Sequence, residues 1–139
     1  MSGGRPARWL PALAALNAIL ALAFGTFAVH GLPPGQQRDW IMTGVLFQLP
    51  HAAAVFAVLA WRPGREGRIG AWGLALGSLV FASVLDLLAL GAPRAVAALA
   101  PIGGTTMMLA WVWIAGLALL GDRLPGVRPP APDPAERNS

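Results

Sequence analysis

His30, Gln48, His51, Asp86 and Thr105 are the side chains in this sequence best equipped for chemistry, and each lies within or at the edge of a long apolar run. An imidazole can relay protons or hold a polar ligand. A carboxylate in such surroundings is costly to bury and is by default a functional-site hypothesis. The enzyme vocabulary is otherwise thin. The chain has no cysteine, so it has neither a thiolate metal site nor a cysteine nucleophile. No serine–histidine pair, metal-spaced cluster, phosphate loop or paired carboxylate stands out. The expectation is therefore no catalytic residue, no metal and no cofactor.

Four apolar runs position these residues: 9–29, 40–61, 69–90 and 102–120. Each has about the 20 residues that a helix needs to cross ~30 Å of hydrocarbon. The runs are continuous and lack two-residue alternation, which favours helices over barrel strands. Proline and glycine break the chain between them, in "HGLPPGQQRD", "RPGREGR" and "GAPRAVAALA". Trp9, Trp40, Trp61 and Trp72 lie at or near run ends, where indole favours the headgroup region. Charged residues make up 12% of the chain, against roughly 25% in a soluble domain. The fold class expected is an all-α integral membrane four-helix bundle, with helices at about 9–30, 40–61, 69–90 and 102–120 within residues 1–121.

Arginine placement orients it. Arg5, Arg8, Arg62, Arg65, Arg68, Arg123, Arg128 and Arg137 fall on the side holding both termini, whereas only Arg38 and Arg94 fall on the other. By the positive-inside rule both termini are expected to be cytoplasmic. The same distribution explains a pI near 11.6 without nucleic acid, since no basic stripe forms. Ala21-Leu22-Ala23 fits a signal cleavage site, but the apolar run continues to Val29 and exceeds the usual 7–15 residue signal core. The first helix is expected to be retained. Residues 122–139, rich in proline and charge, read as a disordered tail.

Depth orders the polar groups. At ~1.5 Å per residue, His30 sits about at the outer surface, Asp86 roughly 6 Å in, Gln48 roughly 12 Å and His51 roughly 16 Å. They form a ladder in the outer leaflet, with Asn17 as the comparable group in the other half. A depth difference of about 16 Å excludes His30 and His51 as paired haem ligands. Gln48 and His51, at i and i+3, share a face. They either satisfy a helix kinked by Pro50 and cross-link its neighbours, or relay protons or bind a ligand. Asp86 is paired with His30, protonated, or facing water.

Small residues supply the helix contacts, because lipid leaves no hydrophobic drive for association. Ala14, Ala18, Ala21 and Gly25 line the first helix, Ala53 and Ala57 the second, and Gly73 and Gly77 form a G-x-x-x-G in the third. In "APIGGTT", Pro101 suits a helix start. Gly103 and Gly104 then read as tight packing or, with Thr105, as a place for an anion at the helix N-terminus.

Three blocks, "GTFAVHGL" (25–32), "WIMTGVLFQLPHAAAVF" (40–56) and "APIGGTTMMLAW" (100–111), occur in the order of a known pattern. With them the chain resembles the small membrane-protein family called domain of unknown function 423, over about residues 10–120. The resemblance maps a Gly-Phe stretch ending in histidine onto Gly25, Phe27 and His30. It maps aromatic-Gln-x-x-His onto Phe47, Gln48 and His51, and Pro-x-Gly-Gly onto Pro101, Gly103 and Gly104. Phe47 stands where members usually have tyrosine, Ala100 where they have threonine, and Asp86 at a tyrosine position, so Asp86 is peculiar to this chain. The resemblance implies four membrane helices in a bacterial inner membrane and implies no activity. The expected function is a structural or accessory subunit packing against a larger membrane complex or itself. The alternative is a module that binds or transports protons, a small solute or a lipid headgroup through the polar ladder.

Overall fold

The computed structural model describes residues 9–120. The 122–139 segment expected as a tail, and Arg5, Arg8, Arg123, Arg128 and Arg137, lie outside the described residues. Four long helices run α1 (Trp9–Gly31), α2 (Gln36–Trp61), α3 (Arg65–Ala89) and α4 (Ala100–Leu120), with a 3-10 turn over Arg94–Leu99 leading into α4. All four are long and apolar enough to cross a membrane.

Two helices begin a turn before their apolar runs. α2 opens on Gln36-Gln37-Arg38-Asp39 and α3 on Arg65-Glu66-Gly67-Arg68. Polar residues propagate a helix into the headgroup region, and Asp39 and Glu66 in the first turns favour the positive ends of the helix dipoles. The break before the fourth run is likewise helical, because 94–99 winds as a 3-10 turn straight into Ala100. Pro101 is the second residue of α4, near the helix start, where its missing N–H costs little.

α3 is the hub. It packs most extensively on α2 and α4 and more lightly on α1; α1 also packs on α2, whereas α1–α4 and α2–α4 backbones do not meet. One apolar cluster joins Leu10 and Ala14 of α1, Val55 and Val58 of α2, Leu74 and Ala75 of α3, and Ala110 and Ile114 of α4. A smaller one joins Ala28, Ile41 and Ala89 at the opposite end.

The α3–α4 seam is built on glycine. A Cβ on Gly73 would stand 2.7 Å from the Ala110 Cβ, and one on Gly77 2.9 Å from the Gly103 carbonyl oxygen. A Cβ on Gly103 would stand 2.6 Å from the Phe81 backbone nitrogen. Backbones this close are the purpose of small residues in membrane bundles. In α2 the packed positions are Gly44, Gln48, Ala52 and Val55, while Ala53 and Ala57 face outward. The stripe read from Ala53 and Ala57 is therefore not the one that meets the other helices of this chain. α2 packs through residues one position away, because Gly44 and Ala82 set its contact with α3.

Candidate functional site

The polar residues do not form one ladder. Gln48 and His51 are three residues apart, about 60° around a helix, and the structure sends them into different seams. Gln48 points into the α1–α2–α3 junction, where its Nε2 donates to Asn17 Oδ1 at 2.8 Å. Asn17 Nδ2 in turn donates to the Ala75 carbonyl of α3 at 3.1 Å. Ser78 Oγ donates to the same carbonyl at 3.3 Å. Asn17 and Ser78 are fully buried and Gln48 is 2% exposed. Three helices are thus tied by one chain of hydrogen bonds set between the two apolar clusters. Buried polar groups need such partners, and here they find them in one another.

His51 faces the other way, toward α4. Trp111 Nε1 donates to His51 Nε2 at 3.1 Å. Indole is a donor only, so Nε2 carries the lone pair and the proton sits on Nδ1. Nδ1 lies 2.6 Å from the Phe47 carbonyl oxygen and donates to it. Both ring nitrogens are satisfied in a neutral imidazole. Phe47 also packs edge-on against Phe81 of α3, with centroids 5.0 Å apart. This His51–Trp111 bond bridges two helices whose backbones never meet, across a cleft of about 390 Å³ floored by Phe81 and Met107. Gly104 lines that cleft with nothing near its missing Cβ. α2 stays helical through Pro50.

The remaining sequence candidates stand apart. His30 is exposed near the end of α1, and Asp86 is buried on the α3 face that also carries Ala82 and Ala89. No ion pair joins His30 to Asp86 among the described residues, and no described side chain donates to the Asp86 carboxylate. Thr105 is exposed, while Thr106 turns its hydroxyl back to the Ile102 carbonyl at 2.7 Å. Gly103 is spent on α3 rather than open to an anion. Among the described residues no three His, Cys, Asp or Glu side chains converge as metal ligands.

Asn17 is the residue that sequence reasoning underweighted. Its signal was present: it stands three residues after Ala14 and four before Ala21, on the packed face of α1. Trp111, the partner of His51, carried no such signal, since 60 residues separate them.

Four apolar helices of membrane-spanning length define a small, all-α, multi-pass membrane protein. Residues 24–104 match the family described as Protein of unknown function (DUF423). The chain is 34% identical over 108 residues to a UPF0382 membrane protein of Haemophilus influenzae, covering 74% of this chain and 87% of the relative. It is 31% identical to the UPF0382 membrane protein YwdK of Bacillus subtilis, over 73% of this chain and 89% of that one. It is 29% identical to the UPF0382 inner membrane protein YgdD of Escherichia coli, over 75% and 84%. The chain belongs to this family, and it is a multi-pass protein of the bacterial inner membrane. No solved structure matches it.

Proposed function

We propose that this protein is a structural or accessory membrane subunit that packs against a larger membrane complex or against further copies of itself, with both termini on the cytoplasmic side. The observation that carries this reading is where the polar groups spend their hydrogen bonds. Asn17 and Gln48 are consumed by tying α1, α2 and α3 together, Ser78 by a carbonyl of its own helix, and His51 by tying α2 to α4. A conduction path needs polar groups lining a route; here they are cross-links between helices. The orientation rests on the arginine distribution, which places Arg62, Arg65 and Arg68 on the side of the termini.

Native mass spectrometry of the full-length protein, extracted gently from its own membrane, tests the proposal. A fixed stoichiometry with a membrane complex, or a discrete homo-oligomer, is the expected result. A monomer holding a stoichiometric polar solute refutes it. The alternative, a proton- or solute-binding module, draws on one feature, the Asp86 carboxylate without a described donor. If that reading holds, Asp86→Asn abolishes solute retention in the same experiment and leaves the assembly state unchanged.

A further inference from the structure

Two features lie near one another at the start of α3. The first is charge: Arg62, Arg65 and Arg68 stand within seven residues, opposed only by Glu66. Arg65 and Arg68 are exposed on the first turn of α3. Arg62 lays its guanidinium 4.9 Å from the centroid of the Trp61 ring, and its buried Nε has no partner among the described residues. The second is an apolar furrow of about 300 Å³ between α3 and α4, walled by Ile69, Gly73, Thr106, Leu109 and Trp113. Gly70 and Gly73 line it where α4 packs close on α3.

The furrow begins one turn along α3 from Arg65. Ile69 and Gly73 follow Arg65 at four-residue steps, so the three share one face of α3. Trp113 stands at the end nearest the arginines, its Nε1 donating to the Glu66 carbonyl at 2.9 Å, and Thr106 lies toward the far end. The start of α3 is not itself the attraction, because Glu66 folds its own carboxylate toward Gly64, the residue that precedes the helix. The arginines carry the positive charge.

We propose that the turn and the furrow together seat one anionic phospholipid, its phosphate among Arg62, Arg65 and Arg68 and an acyl chain along Ile69, Gly73 and Trp113. The pairing of a cationic rim with an apolar trough selects an amphiphile over a bare anion, and a net negative headgroup over a zwitterionic one. Arginine suits the phosphate because its planar fork donates two bonds at once. The site needs only that the turn lie at headgroup level, so it is independent of the accessory role and of which leaflet the turn faces.

The test is native mass spectrometry of the full chain in micelles supplied with phosphatidylglycerol and phosphatidylethanolamine of identical acyl chains at equal concentration. Phosphatidylglycerol should be retained preferentially. Arg65→Gln and Arg68→Gln should each lower that preference roughly fivefold. Thr106→Leu, which fills the trough, should lower retention of both lipids, with helicity checked by circular dichroism. Inorganic phosphate should leave the adduct in place. Equal retention of the two lipids overturns the proposal, as does a preference unchanged in the Arg65→Gln/Arg68→Gln double variant. Displacement by phosphate alone, or a lipid-free dimer seated on this face, overturns it too.

Discussion

Gly103 and Gly104 are neighbours in sequence with opposite surroundings, and replacing each with alanine separates packing from helix propensity. A Cβ on Gly103 would lie 2.6 Å from the Phe81 nitrogen, 2.8 Å from the Gly77 carbonyl oxygen and 2.9 Å from the Phe81 Cβ. Two of these three are backbone atoms, which no rotamer change can move. Ordinary contacts begin near ~3.5 Å, so α3 and α4 must part by roughly 1 Å at this level. Overpacking of this kind costs about 1–3 kcal/mol. A Cβ on Gly104 would meet nothing within 4 Å, so its substitution changes only propensity, a gain of roughly 0.5–1 kcal/mol for alanine over glycine in a helix. That gain is common to both variants, and their difference therefore isolates the contact at about 1–3 kcal/mol. Unfolding by SDS titration in mixed micelles, followed by far-ultraviolet circular dichroism, measures it. Gly104→Ala should unfold at or above the wild-type midpoint and Gly103→Ala clearly below it. Equal midpoints would refute the close α3–α4 approach on which the fold description rests.

Four further outcomes are expected. In a double-mutant cycle, Asn17→Leu and Gln48→Leu should couple by about 0.6–1.7 kcal/mol, the range for side-chain hydrogen bonds between membrane helices; additivity within about 0.3 kcal/mol contradicts the bond. Nitrogen NMR of His51 should show a proton on Nδ1 and an accepting Nε2, and Trp111→Phe should shift the Nε2 resonance while leaving Nδ1 protonated. Trp113→Phe removes the donor to the Glu66 carbonyl and should cost about 0.5–1.5 kcal/mol in the same unfolding assay. Gly67→Ala should be more damaging than any of these substitutions, since its Cβ would stand 1.9 Å from the Arg62 carbonyl oxygen.

The four helices were legible because a membrane span must satisfy its own backbone in about 20 apolar residues. Hydropathy marks lipid rather than helix, however. That is why Gln36–Asp39 and Arg65–Arg68 read as connections in the sequence, although they are helical. The G-x-x-x-G at Gly73 and Gly77 was legible as packing, since both lie on the α4 seam. Which face α2 turns inward was not, because in an apolar helix alanines on several faces look alike. Gln48 reads as a cross-link to a neighbouring helix, but its partner is hidden in the sequence: Asn17 lies 31 residues away on another helix. The division of Gln48 and His51 between two seams follows from 60° of helix rotation, which matters only once neighbouring helices are in place.

That α4 rests on α3 and its own leading turn, and not on the backbones of α1 or α2, bears on how the protein is made. By the time α3 has left the ribosome, Asn17, Gln48 and the Ala75 carbonyl can already meet, so the three-helix stage has its costliest amides paired before the last helix is synthesised. α4 then joins along a surface of glycines prepared for it, and among the described residues its side chains bring donors to the His51 imidazole and the Glu66 carbonyl. Biogenesis can therefore pause after the third segment without leaving those amides bare to lipid.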